Sequence, residues 1–164
     1  MWNLVIVAVM AALTGFYSLS PERSLMAEKT QEERELAESM GIYRQAVVAY
    51  FTAHNVTNTS VGIETLKDEG ILPAWSTLYT RSATSIWANY RDSAGVIYIY
   101  PLTLPPSNIV NPLLKLSRYS MNVGIYRASD NSLYSPVDGS RITLTSLGGV
   151  SIPDTAPVWM AASN

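Results

Sequence analysis

From Leu4 to Leu19 the chain reads LVIVAVMAALTGFYSL, without one charged side chain. That run limits what the rest can be. A helix rises 1.5 Å per residue, so about 20 apolar residues cross a bilayer core. Met1 to Ser20 has that reach and carries no charge. Leu4, Val5, Ile6, Val7, Val9, Leu13 and Leu19 supply the apolar body. Trp2 stands at one end and Phe16 and Tyr17 near the other, where amphipathic rings settle at an interface. Pro21 follows, where a boundary or kink is expected. Residues 1–20 are therefore expected to form a transmembrane anchor.

Two other fates for this segment fit poorly. A secretory signal peptide needs a basic start and a small-residue cleavage site beyond the apolar run. Met1-Trp2-Asn3 has no lysine or arginine, and Ala11-Ala12 lies inside the run. A prepilin leader is cut after a glycine that precedes the apolar helix. Gly15-Phe16 imitates that site, but the apolar stretch lies before it and Ser20 stands where a glutamate belongs. An uncleaved single membrane span is the expectation. Arg23, Lys29 and Arg34 follow it and nothing basic precedes it, which by the positive-inside rule leaves the bulk of the chain in the cytoplasm. The remaining composition points the other way: ten tyrosines, many Ser and Thr, and no cysteine suit an extracytoplasmic domain. A bitopic protein with a periplasmic C-terminal domain is the placement expected here.

A second helical stretch follows. Ser20-Pro21-Glu22 has the order N-cap, first-turn proline, first-turn acid. Leu36, Met40, Tyr43, Val47 and Tyr50 are spaced 4, 3, 4 and 3 residues apart, a helical apolar stripe in heptad register. Glu28 to Glu38 upstream is mostly charged. Residues 21–55 thus read as a stalk whose far half docks, either on the chain's own sheet or against a partner or second copy. His54 continues the stripe and suits a helix C-terminus.

Residues 56–164 read as a small globular α+β domain on an antiparallel sheet. VGIETLKDEG is a short helix with Ile63 and Leu66 inward, ended by Gly70 and blocked by Pro73. SIWANYRDSAGVIYIYPL is a hairpin turning at Asp92 to Gly95. Asn108 to Arg118 is a helix with Pro112 in its first turn. SMNVGIYRASDNSLYSPVDGSRITL is a second hairpin around Asp130-Asn131, with a further strand after Asp138-Gly139. Val158-Trp159-Met160, behind Pro153 and Pro157, reads as an edge strand closing the domain.

Chemistry is scarce. A net charge of −2 argues against broad nucleic-acid binding. Without cysteine and with one histidine, thiol nucleophiles and zinc-thiolate sites are excluded. Neither a G-x-S-x-G elbow nor a phosphate-binding glycine loop is present. A Ser-Lys pair would have to use Lys67 or Lys115, with only Lys29 besides, and Asp68-Glu69 reads as a solvated helix face. No enzyme activity, cofactor, metal or small-molecule substrate is expected. The aromatics remain. Trp75, Trp87 and Trp159, with Tyr90, Tyr98, Tyr100, Tyr119, Tyr126 and Tyr134, exceed what so small a core needs, so some are expected at an interface.

Taken together, the N-terminal anchor, the Glu-rich helix, IETLKDEGILPAW and the hairpin-rich C-terminal half resemble the PilM family of conjugative-plasmid thin-pilus systems. These are type IVb pilus operons, and this PilM is distinct from the actin-like cytoplasmic protein of the same name. The resemblance spans essentially the whole chain. It implies a small inner-membrane protein of the pilus assembly apparatus or its basal body, working through contacts with other pilus assembly or pilin proteins or with copies of itself. It brings no catalytic residues. A looser likeness to pilins and pseudopilins, in which an N-terminal helix precedes an antiparallel sheet, keeps a minor pilin in view. A membrane-anchored sensory or ligand-binding domain is the reading from another class.

Overall fold

The structure, a computed structural model, describes the backbone of residues 2–144 and 147–162, and within them the side chains from Leu25 onward. Helix α1 runs unbroken over Trp2–Ala53. The helix start expected at Ser20-Pro21 is therefore absent. A proline in a helix interior forfeits one hydrogen bond, and here the flanking residues carry the helix through. The anchor side chains expected over residues 1–20 lie outside the described ones. Among the described residues, no helix is long and apolar enough to cross a membrane.

Beyond α1 come α2 (Ile63–Asp68), α3 (Thr77–Thr80) and α4 (Val110–Leu116). The strands are β1 (Trp87–Arg91), β2 (Val96–Pro101), β3 (Val123–Arg127), β4 (Ser132–Tyr134), β5 (Arg141–Thr143) and β6 (Pro157–Ala162). They form one antiparallel sheet in the order β1-β2-β6-β3-β4-β5. Both expected hairpins are present. The C-terminal strand is not an edge, however. β6 lies between the hairpins, with Ile99 opposite Trp159 on one side and Val123 opposite Trp159 on the other. Pro157 is tolerated because it is the first residue of the strand.

The sheet is covered on both faces, which explains why β2 and β6 are buried almost throughout rather than in alternation. On one face Trp87, Ile97, Ile99, Val123, Trp159 and Ala161 meet the inner side of α1 and α4. On the other, Tyr90, Tyr98, Tyr100, Tyr126, Val158 and Met160 lie under Leu144, Ile152 and Ala156. The α1 stripe accounts for the first face. Met40, Tyr43 and Val47 are buried, and Leu36 and Tyr50 pack partly buried against the same core. From Leu25 to Glu35 the helix is nearly all exposed, with Glu32 accepting from the Ser107 hydroxyl at 3.1 Å.

Polar clamps fix the turns. Asn89, 2% exposed, accepts the Val61 N–H at 3.0 Å and donates to the Val61 carbonyl and the Tyr43 hydroxyl, each at 2.7 Å. It thereby ties the connection after α1 to both β1 and α1. Arg91 secures the same connection, donating to the Val56 carbonyl at 2.8 Å and Asn55 Oδ1 at 3.2 Å. The Asp92 carboxylate caps the β1–β2 turn by accepting from the Ala94 and Val96 N–H groups, each at 2.9 Å, and from the Tyr98 hydroxyl at 3.0 Å. Gly70 closes α2 at φ +67°, a left-handed conformation that favours glycine. Gly124 serves a close approach instead: a Cβ there would lie 2.5 Å from the Tyr134 carbonyl oxygen.

Candidate interaction surface

Of the three tryptophans expected at an interface, the structure leaves only Trp75 at the surface, 79% exposed. Trp87 is buried and donates its indole N–H to Ser39 Oγ on α1 at 2.7 Å. Trp159 is buried beneath α1 beside Gly41. Tyr90, Tyr98, Tyr100 and Tyr126 are also core residues, while Tyr134 is half-buried and Tyr119 exposed. The expectation of surplus aromatics counted one buried sheet face. The cover formed by Leu144, Ile152 and Ala156 creates a second, and Tyr90, Tyr98, Tyr100 and Tyr126 fill it.

Two short stretches shape the surface around Trp75. Ser76 is buried, caps α3 by accepting the Tyr79 N–H at 3.2 Å, and donates to the Pro73 carbonyl at 2.7 Å. Those bonds tighten the loop that carries Trp75. At the end of α4 the chain turns through two consecutive left-handed residues, Arg118 (φ 55°) and Tyr119 (φ 58°). Such a conformation costs a non-glycine residue on the order of 1 kcal/mol or more. It is held by Arg118 N–H to the Lys115 carbonyl at 3.1 Å and Tyr119 N–H to the Leu114 carbonyl at 2.6 Å. Leu116, Tyr119 and Met121 are all exposed on this turn.

Between the turn and α1 runs a groove of about 490 Å³. Glu38, Gly41, Arg44 and Gln45 of α1 form one wall, and Leu116, Arg118, Ser120 and Asn122 the other. Trp75 and Trp159 also line it. A second hollow of about 520 Å³ shares Glu38 and Leu116 with it and continues between Thr30, Arg34 and α4. The seam from Thr30 to Gln45 is roughly 22 Å long at the helical rise.

Arg44 is the electrostatic feature of the groove. Its guanidinium lies 4.8 Å from the centre of the Trp159 ring, a cation–π contact. Its Nε is shielded from solvent without a hydrogen-bond partner among the described residues. Burial pushes its pKa below the usual arginine value. Among the described residues no carboxylate lies within ion-pair reach of Arg44 or Arg118.

Other candidate groups are brought together less productively. Lys67 donates to Ser82 Oγ at 3.1 Å, the contact a Ser-Lys nucleophile would require. Its ammonium also pairs with Glu64 at 3.4 Å and sits over the Tyr79 ring at 5.0 Å. His54 stacks on Tyr50 with ring centres 4.4 Å apart, and its Nε2 is 3.8 Å from Glu69. Among the described residues no three His, Cys, Asp or Glu side chains gather as a metal site. Another hollow, about 660 Å³, lies between Leu104–Val110 and β3, and Arg127 at its side is already stacked on Tyr134 at 4.8 Å.

Arg44 was missed by sequence reasoning because a lone arginine beside a heptad stripe reads as solvated. The one local signal is Gly41, a glycine three residues before it, beside which Trp159 packs on the helix.

Comparison with known proteins follows from this architecture. A crystal structure of a protein PilM from Escherichia coli B7A has the same fold, with a TM-score of 0.50 and 21% sequence identity, covering 84% of this chain and 94% of that one. No curated protein matches the sequence. The model of the PilM family, a family of pilus assembly proteins, matches residues 8–160, nearly the whole chain, and the chain belongs to that family.

Proposed function

We propose that this chain is a non-enzymatic inner-membrane component of the type IV (thin) pilus assembly apparatus or its basal body, acting through protein–protein contacts. The observation that carries the reading is the family match, which begins at residue 8, within the apolar opening stretch, and runs to residue 160. The fold is consistent with it: a helix of 52 residues whose later part packs on a small domain. Residues 1–20 anchor the chain once in the membrane, residues 21–55 space and dock the domain, and residues 56–164 make the contacts, on the periplasmic side. Deletion of the gene in its own host should abolish thin pili in electron micrographs and reduce pilus-dependent conjugation, with recovery on complementation. Normal pili in the deletion strain would refute the proposal. Protease treatment of intact spheroplasts, with a tag after Asn164, tests the orientation.

A second reading draws on α1 itself. A long unbroken helix packed on an antiparallel sheet is a pilin-like layout, which favours a minor pilin or pseudopilin. Immunogold labelling along sheared filaments, together with N-terminal sequencing of the mature chain, would support that reading over the first. The sensory reading would need an enclosed polar pocket, which ligand-bound crystals would reveal.

A further inference from the structure

We propose that the groove between α1 and the α4–β3 turn docks an acidic–apolar segment of a partner pilus protein, with a carboxylate on Arg44 and Arg118 and an apolar side chain between Trp75 and Leu116. This rests on the pilus reading and supplies its contact surface. Three observations converge on it. First, the groove is cationic in a chain of net charge −2: Arg44 and Arg118 face Glu38 as the only acid lining it. Second, Arg44 is partly desolvated and its shielded Nε lacks a partner among the described residues. Such a group gains most from a carboxylate, whose two oxygens match the guanidinium fork. The Trp159 ring already holds the guanidinium at 4.8 Å, so less rotamer freedom remains to be lost on binding. Third, apolar surface is concentrated at the same place. Trp75 is 79% exposed and Leu116 45% exposed, both on groove walls. The buried Ser76 cap and the left-handed Arg118-Tyr119 pair hold these walls. A preformed aromatic anchor beside an arginine is the composition of an interface hot spot. Ser120 and Asn122 on the far wall offer hydrogen bonds to the backbone of an extended segment.

The test uses the full chain in detergent micelles and two fluorescein-labelled peptides, acetyl-Gly-Leu-Glu-Phe-Glu-Leu-Gly-amide and its counterpart with glutamine for glutamate. Fluorescence anisotropy should show the glutamate peptide binding at least tenfold more tightly, the ratio expected for one charge-assisted pair. Arg44→Gln should remove that preference. Arg44 is partly buried, so Arg118→Asn and Trp75→Ser serve as surface variants that leave the fold intact, and each should weaken binding about tenfold or less. Equal binding of the two peptides, no binding of either, or unchanged binding to all three variants would overturn the proposal. So would sedimentation showing self-association that Arg44→Gln abolishes, which would make a second copy the occupant. In the host, pili absent on deletion and fully restored by the Trp75→Ser/Arg118→Asn chain would sink the groove while leaving the pilus reading standing. Normal pili on deletion would refute the pilus reading itself.

Discussion

Asn89→Ala is the sharpest test of how this domain is held together. Asn89 is 2% exposed and its amide makes three hydrogen bonds, two to Val61 and one to the Tyr43 hydroxyl. Truncation strands the Val61 N–H, the Val61 carbonyl and the phenol together. A buried polar group left without a partner costs about 1–3 kcal/mol. Three such groups that can relax toward one another should cost about 3–5 kcal/mol, a large part of a small domain's stability. Tyr43→Phe removes the same phenol from the other side and leaves a single Asn89 N–H unpaired, so its cost should be about 1 kcal/mol. The assay is equilibrium unfolding in urea, followed by tryptophan fluorescence on the detergent-solubilised chain, with the double variant closing the cycle. The two losses should be strongly non-additive, because both variants break the Tyr43–Asn89 bond. If Asn89→Ala loses less than about 1 kcal/mol, or no more than Tyr43→Phe, the connection after α1 is held by packing alone and the clamp argument fails.

Further expectations follow from other parts of the fold. Burial, opposed by the Asn89 hydrogen bond and assisted by the nearby Tyr100, pushes the Tyr43 hydroxyl up to about 12. Its contribution is present in full below the ordinary tyrosine value near 10 and lost as pH rises toward 12, so stability should fall over that window by up to about 3 kcal/mol. Tyr43→Phe should flatten that part of a stability-versus-pH curve. Gly124→Ala drives a methyl group against the Tyr134 carbonyl and Leu133, and should lower stability by about 1–3 kcal/mol in thermal melts. At Gly41 an added Cβ meets Trp159 at an ordinary 3.7 Å, so Gly41→Ala should instead stabilise by about 0.5–1 kcal/mol through helix propensity. Deleting the chain from Pro157 onward should abolish the cooperative unfolding transition, since β2 and β3 have no other link within the sheet.

The parts of this fold legible beforehand were those written in neighbouring residues. The Asp92–Gly95 turn, the Gly70 stop and the Pro112 first turn depend on local backbone preferences, and both hairpins and α4 appear where those residues place them. The α1 stripe was legible as a helix face, though periodicity alone could not tell the chain's own sheet from a partner. What could not be read depends on distant encounters. Pro157 made β6 look like an edge, because nothing nearby reveals that Ile99 and Val123 would both pair with Trp159. The second buried face was hidden because the residues that cover it, Leu144, Ile152 and Ala156, stand in no strand or helix. Ser20-Pro21 imitated a helix start through good capping chemistry, yet the continuing helix overrode it. Trp75 is exposed because it lies in the loop between Pro73 and Ser76. Its two companions lie on strands that the helix covers.

The central position of β6 also has a meaning in time. Of the six strands it is the last to leave the ribosome, yet it joins the two halves of the sheet. Until it arrives, β2 and β3 each present an open row of backbone donors and acceptors, competent to recruit strands from other nascent chains. A truncated product would keep those edges exposed, making it a ready target for proteolysis. Translation must therefore pass Ala162 before the two halves of the sheet can join.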